Sequence, residues 1–420
     1  MAALALLLVG LFLHAPGHCI TGVVAVVSAG FVVSIFMRTV LVLLGRYRRV
    51  GSTEAEWAWP VYSVLVPLFH EVEVLPQLVQ SLCALDYPKD KLDIRLILEE
   101  DDVETRAAVA QAPFACVVVP PSRPKTKPKA ANYAAHFAGG EFLVVFDAED
   151  RPEPDQLKKA VRAFRANPDI DCFQARLRID RCRNWLQRMF ALDYGIWFNA
   201  LLPGLEYLSA PIPLGGTSNH FRRASLLKAG LWDPYNVTED ADLGLRLARL
   251  GFRVGILDSV TWEEAPQALG VWLRQRTRWM KGYMQTLLVH WRQPRRFIGD
   301  VGPIGAFTIH MFLGGAVWSA LVNPLLWIFF AVSSFGQPAA PDLLARIAEA
   351  SGFTLLLVNA LLAQIGRLQV SRSEALPPWY VTLSYPLYWL LISVAGWRAL
   401  YQLVRDPFLW EKTPHGASLP

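Results

Sequence analysis

Three short runs of this sequence gather carboxylates, an amide, a guanidinium and an indole in patterns that could do chemistry. Val144–Asp150 reads VVFDAED, an apolar run that ends in Asp147, Glu149 and Asp150. Packing like charges together is costly unless a cation or substrate offsets them. Alternation along an extended segment would point Asp147 and Glu149 the same way. Such a pair suits a hard divalent ion, Mg2+ or Mn2+, which takes one or two carboxylates and completes its shell from substrate phosphates. An acidic, solvated loop would read the same way. Thr238–Asp242 reads TEDAD and opens a helical run. Thr238 suits an N-cap, with carboxylates favoured by the dipole in the first turn. Alternatively, Asp240 is a general base aimed at an acceptor hydroxyl. Gln275–Trp279 reads QRTRW, and Gln275, Arg278 and Trp279 at i, i+3 and i+4 share one helix face. An Arg can bind a diphosphate bidentately, and an indole can stack on the flat apolar face of a sugar. An aromatic–basic helix at a membrane interface would show the same spacing.

These runs need a scaffold, and the rest of the chain supplies its outline. The 420 residues suffice for one substantial domain plus membrane segments. Hydrophobic residues make up 53% and charged residues 18%, below the ~25% of an average soluble domain. The net charge of +5 comes without a long Lys/Arg run, which argues against a nucleic-acid partner. The five cysteines form no CxxC or Cys/His cluster and read as reduced, buried thiols.

Apolar character lies at the two ends. Cys19–Leu44 holds only Arg38 as a charge and is long enough to span a bilayer. Ala2–Leu13 is short for a span and lacks the positive flank of a cleaved leader. GRYRRV at Gly45–Val50 places the following residues in the cytoplasm. Strands are expected at Tyr62–Phe69, Asp93–Leu98, Phe114–Val119 and Glu141–Phe146. Helices are expected between them, at Val74–Leu85, Glu104–Ala110 and Lys129–Phe137. Alternating strand and helix implies an α/β fold with a parallel sheet, whose ligands bind at the carboxyl ends of the strands. Beyond Gly282, Pro303–Phe335 and Ser351–Ile365 are expected spans, with a kink at Pro324. Trp379–Val404 reads as an interfacial helix or a tight hairpin.

Taken in order, the acid cluster, TED and QxxRW, followed by membrane segments, resemble the family 2 processive glycosyltransferases. That family includes cellulose, hyaluronan and chitin synthase-like proteins. The resemblance runs from about Tyr62 to Gly416 and is greatest to a small bacterial β-glucan synthase-like branch that carries DAED and a WEKTxHG-like tail. It implies a GT-A-like (Rossmann-like) cytoplasmic domain flanked by transmembrane and interfacial helices. The expected division is an N-terminal membrane region at 1–50, the catalytic domain at 51–282, interfacial and membrane helices at 283–405, and a tail at 406–420.

The resemblance also implies roles. VPLFHE would place Pro67, Phe69 and Glu71 near a uridine, and LILEEDD would place Glu99 or Glu100 there. KAAN would place Lys129 near the nucleotide phosphates. DAED would supply Glu149 as a metal ligand, with Asp147 near ribose or metal and Asp150 as an alternative ligand. TED would supply Asp240 as the base beside Glu239, and QxxRW would supply Gln275, Arg278 and Trp279. The tail would act as a gating loop over the nucleotide through Trp410, Lys412, Thr413 and His415. LGGTSNH at Leu214–His220 resembles the acceptor-side loop.

The implied reaction is an inverting, metal-dependent transfer from a UDP-sugar, UDP-glucose favoured, to a growing β-linked polysaccharide. It would occur at the inner (plasma) membrane in a multi-pass protein, with an accessory export protein as a further partner. A channel through the membrane helices would be lined by Trp318 and Trp327. A non-processive transferase acting on a lipid or other acceptor would keep the metal and base sites. A transporter or scaffold would show repeated spans with buried charges, which these ends do not clearly show.

Overall fold

A computed structural model describes residues 16–45, 58–335, 346, 350, 357–358, 360–368 and 377–411. The short apolar stretch at 2–13, the basic flank at 46–50 and tail residues Lys412, Thr413 and His415 lie outside the described residues. So do residues 351–356 and 359 of the expected span at 351–365.

Helix α1, Pro16–Leu44, is apolar along most of its length and carries one Asp, Glu, Lys or Arg, Arg38. Strand β1 (Tyr62–Leu68), helix α2 (Leu75–Cys83), β2 (Leu92–Glu99), α3 (Val103–Val109), β3 (Ala115–Val119), α4 (Lys127–Ala135) and β4 (Phe142–Val145) then alternate as expected. Next come β5 (Arg151–Pro152), α5 (Gln156–Ala166), β6 (Cys172–Ile179), α6 (Trp185–Ile196) and α7 (Leu202–Tyr207). The strand-bearing half closes with β7 (Asn219–Arg222), α8 (Arg223–Lys228), α9 (Glu239–Arg249) and β8 (Val254–Glu263). Four further helices follow: α10 (Leu269–His290), α11 (Pro294–Ile309), α12 (Gly315–Phe335) and the short α13 (Trp379–Thr382). The last element is α14 (Tyr385–Arg405).

The eight strands form one sheet in the order β3-β2-β1-β4-β7-β6-β8-β5. β3, β2, β1 and β4 are parallel. β7 runs antiparallel to both β4 and β6, and β8 runs parallel to β6. Two reversals restore direction, so β8 ends at the same edge as β1, β2 and β4. Central strands buried on both faces read as continuous apolar runs, and Tyr62, Val64, Leu65, Val66, Phe142, Leu143 and Val144 are all 0% exposed. The mixed sheet with helices on both faces is the expected GT-A-like α/β fold.

Two glycines shape the region below the sheet. Gly302 takes φ 74°, which breaks α11 just before Pro303, so a fresh helical run starts at the proline. Gly282 of α10 packs against the Thr238 side chain, where a Cβ would collide. That contact brings α10 against the start of α9. Three helical stretches are long and apolar enough to cross a membrane: Ala25–Leu44, Pro294–Ile328 and Tyr385–Arg405. The last is one continuous 21-residue helix and not a hairpin. Its Pro386 sits at the helix start, where a missing N–H costs nothing. The cysteines are unpaired among the described residues, but Cys83 and Cys116 are exposed rather than buried.

Candidate active site

A cavity of about 420 Å³ runs from the carboxyl edge of the sheet to the helices at the opposite end of the molecule. Its first wall is made by strand ends. Just beyond β1, Pro67, Phe69 and Glu71 line it, and Glu99 lines it from the end of β2. The turn after β1 is fixed by His70, which adopts φ 53° and donates its N–H to Asp102 Oδ2 at 2.6 Å. Asp102 also caps α3 by accepting from the Thr105 N–H at 3.2 Å. The pair Glu99/Glu100 is thereby resolved in space. Glu99 is buried on the cavity wall, whereas Glu100 is exposed in the turn and outside it.

The expected phosphate lysine is displaced. Lys129 forms an ion pair with Glu99 at 2.9 Å and does not line the cavity. Lys127 does, with its Nζ 2.5 Å from Asp147 Oδ1 and 2.5 Å from the Gly216 carbonyl. Residues two apart on a helix differ by about 200° around its axis, so only one can face inward. Burial acts to lower the Lys127 pKa, but Asp147, Asp240 and Glu239 outweigh it and hold the ammonium above its ordinary value.

The DAED segment is a turn, not an extended strand, closed by the Asp150 N–H to the Asp147 carbonyl at 3.2 Å. Asp147 and Glu149 both reach the cavity wall. Asp150, expected as an alternative ligand, does not line the cavity. It is 2% exposed and accepts from the Asp147 N–H at 2.7 Å and from the Thr217 hydroxyl. It organises the turn from beneath. A solvated loop would not bury this carboxyl, whose pKa burial raises well above the usual range.

α9 presents Glu239 and Asp240 to the cavity from its first turn, at 5% and 7% exposure. Thr238 occupies the N-cap position, yet its side chain makes no capping bond and donates instead to Asn236. A solvated helix start therefore does not account for these acids. The indole N–H of Trp232 donates to Asp240 Oδ1 at 2.8 Å. Burial, then repulsion from Glu239, pushes the Asp240 pKa up to about 8, against the opposing pull of Lys127. Gln275, Arg278 and Trp279 line the cavity from one face of α10. Trp279 is braced by Tyr194, 5.8 Å between centroids, and by the Arg276 guanidinium at 4.6 Å.

Sequence reasoning missed two groups. Glu263 ends β8 at the same sheet edge and lines the cavity, with Tyr194 donating to its Oε2 at 3.1 Å. Burial, then the charges of Glu149 and Asp147, push its pKa up to about 8. The run VGILDSVTWE has the same form as the other strands, apolar and ending in an acid, so the rule that found Asp147 could have found it. The second group lies at the far end. There Arg38, Asp193, Arg276, Trp197, Tyr283 and Trp389 line the cavity together with Ala316 and Ile392. Trp318 and Trp327 do not. The Trp318 indole instead packs on α1, 3.4 Å from the Val27 carbonyl.

The C-terminal segment crosses this site. Lys281 Nζ donates to the Leu409 carbonyl at 2.7 Å, and Gln285 to the Pro407 carbonyl at 2.8 Å. Arg398 grips Glu411 bidentately at 2.7 and 2.6 Å. These contacts seat Trp410 on the cavity wall, with the Arg278 guanidinium 5.0 Å from its ring centre.

A divalent ion fits this wall in a limited way. Among the described residues no three His, Cys, Asp or Glu side chains are gathered for a metal. Asp147 and Glu149 are acceptor-only groups facing the cavity, and one or two carboxylates suffice where donor phosphates complete the shell.

Comparison with known proteins identifies the scaffold. A family model described as "Glycosyltransferase like family 2" matches residues 60–282, more than half of the chain. The chain is 25% identical over 373 residues to "Probable glycosyltransferase YdaM" of Bacillus subtilis (strain 168), covering 84% of this chain and 86% of that one. It is 24% identical over 277 residues to "Probable glucomannan 4-beta-mannosyltransferase 15" of Arabidopsis thaliana, covering 60% of this chain and 52% of the relative. The chain thus spans about half the length of that plant relative. The fold is also that of the mannosyltransferase PcManGT from Pyrobaculum calidifontis, solved in complex with GDP-Man and Mn2+. The TM-score is 0.54 at 16% identity, over 91% of this chain and 99% of that one. The chain belongs to glycosyltransferase family 2.

Proposed function

We propose that this family 2 glycosyltransferase moves a hexose, with inversion, from a nucleoside diphosphate donor to a hydroxyl of a β-linked glycan. The observation that carries the reading is a single cavity bearing Asp147, Glu149 and Lys127 on one side and Asp240, Arg278 and Trp279 on another. The donor lies against Pro67, Phe69, Glu71 and Glu99. Asp240, with Oδ1 held by Trp232, takes the acceptor hydroxyl's proton at its other oxygen. Lys127 and Arg278 offset charge developing on the leaving diphosphate. Asp147 and Glu149 would hold Mg2+ or Mn2+, which supplies further charge neutralisation when bound. Trp279 seats the acceptor sugar by stacking, and Trp410 closes over the site from the tail. Positioning of this kind can account for up to about 7–11 kcal/mol of a barrier.

Attack from the side opposite the leaving group inverts the anomeric carbon, so an α-linked donor gives a β-glycoside. The division at 1–50, 51–282, 283–405 and 406–420 is the corresponding organisation, with the catalytic part cytoplasmic in a multi-pass membrane protein. The resemblance to cellulose and hyaluronan synthases supports UDP-glucose as donor and a growing chain as acceptor. The plant relative named as a mannosyltransferase makes a mannose donor the second to supply, as GDP-mannose, the form bound in PcManGT. Purified protein in nanodiscs, given each donor with Mg2+ or Mn2+, is expected to release nucleotide and form a β-linked product from one of them. An α-linked product, or no nucleotide released from any sugar donor, would refute the proposal.

A further inference from the structure

We infer that the membrane end of the cavity is a subsite for the phosphate of a lipid-linked saccharide, with Arg38 as the group that reads it. This rests on the proposed glycosyl transfer and names the class of its acceptor. Arg38 is the one Asp, Glu, Lys or Arg in the 29-residue helix α1. An ionisable residue within an apolar, membrane-competent helix is costly and is retained where it faces a cavity or a partner. Arg38 faces this cavity, from inside the candidate span Ala25–Leu44.

Its neighbours leave its charge unspent. Arg276, the other guanidinium at this end, is paired with Asp193 at 2.7 Å. Asp193 also accepts from the Tyr385 hydroxyl at 2.8 Å. Among the described residues Arg38 makes no ion pair, and its guanidinium lies 5.1 Å from the ring centre of Trp389. One anion brought here would find a free cation beside an already neutral pair.

The walls fit the rest of such an acceptor. Trp197 and Tyr283, whose rings lie parallel with centroids 6.0 Å apart, both line this end with aromatic surface of the kind that packs on a sugar ring. Ala316 and Ile392 bring apolar surface from two further candidate spans, α12 and α14. A small void of about 10 Å³ also adjoins Arg38 and Trp389, bounded by Val42, Ile196, Leu362 and Tyr385. A saccharide whose phosphate meets Arg38 and whose lipid leaves between helices matches all three features.

The test uses the full-length protein in nanodiscs and two probes, an undecyl-phosphate-linked glucose and the matching neutral undecyl β-glucoside. Binding is read directly, and donor hydrolysis is read separately without acceptor. Wild type is expected to bind the phosphate probe about tenfold or more tightly than the neutral one. Arg38→Gln should reduce that ratio to near one without changing donor hydrolysis, and Arg38→Lys should restore part of it. An unchanged ratio in Arg38→Gln, or no preference in wild type, overturns the inference. So does displacement of the lipid probe by inorganic phosphate at equal potency, or tighter, Arg38-dependent binding of a uronate-bearing oligosaccharide. Absence of donor hydrolysis in wild type would count against the proposed transfer alone, because the binding ratio is measured without it.

Discussion

The two ends of the cavity are built on opposite electrostatic plans. At the sheet edge, Glu71, Glu99, Asp147, Glu149, Glu239, Asp240 and Glu263 face Lys125, Lys127 and Arg278. Carboxylates are in excess there, and burial raises the pKa of Glu239, Asp240 and Glu263. At the membrane end, Arg38 and Arg276 face the single carboxylate of Asp193 among aromatic rings. On the proposed reading, the first plan suits cations and a proton, and the second suits an anion and flat sugar faces. The difference teaches how one cavity can hold two unlike substrates without either blocking the other's subsite.

The comparison breaks most readily at its junction, Asp240. Asp240→Asn should lower transfer by about 10²–10⁴-fold, the range for general-base catalysis, while nucleotide affinity by calorimetry stays near wild type. Loss of nucleotide binding would instead place Asp240 in the donor subsite. Lys127→Met removes the cation held at Asp147 and should lower donor turnover by about 10–100-fold, equivalent to about 1.4–2.7 kcal/mol, in initial-rate assays. Lys129→Met should have a smaller effect on turnover, because Lys129 does not line the cavity itself and reaches it only through its ion pair with Glu99.

The sheet-edge plan also predicts opposing pH dependences. A base must be deprotonated, so kcat/KM should rise as pH passes through about 8. Stability should go the other way. Asp240 and Glu263 have folded pKa values of about 8, above their unfolded values of 3.8 and 4.5. Between these limits the folded state binds more protons than the unfolded one, so stability falls as pH rises from about 4 to about 8. Glu263→Gln removes one buried charge and should raise the melting temperature at pH 8 by roughly 2–4 °C for each kcal/mol regained. No gain at pH 8, or an equal gain at pH 5, would show that this carboxyl is not the source. The smallest effect is expected from Lys281→Met. It removes the Lys281 hold on the tail, leaving that of Gln285, and should raise donor KM severalfold while leaving the sheet-edge acids unchanged, as read by the same pH profile.

Local signals in the sequence were strong where one segment decides its own structure. Each of the first four strands is an apolar run that ends in polar residues, and each formed within two residues of its expected bounds. Gln275, Arg278 and Trp279 share a face because helix periodicity requires it. What could not be read depends on phase or on distant partners. Lys127 and Lys129 look alike in sequence, and only the first-turn phase of α4 sends one inward. Asp150 looks like a third wall carboxylate until Thr217, 67 residues away, turns it beneath the loop. Arg276 and Asp193 meet across 83 positions. Arg38 was visible as a lone charge, but its place on the cavity follows only from how α1 packs against α7 and α12.

The division of labour is tested most directly by measuring both KM values in variants at each end. Phe69→Ala should raise donor KM about tenfold and leave acceptor KM within about twofold, and Trp279→Ala should do the reverse. If Trp279→Ala raises donor KM while acceptor KM stays constant, the cavity is not divided as described and the assignment of its two ends is wrong.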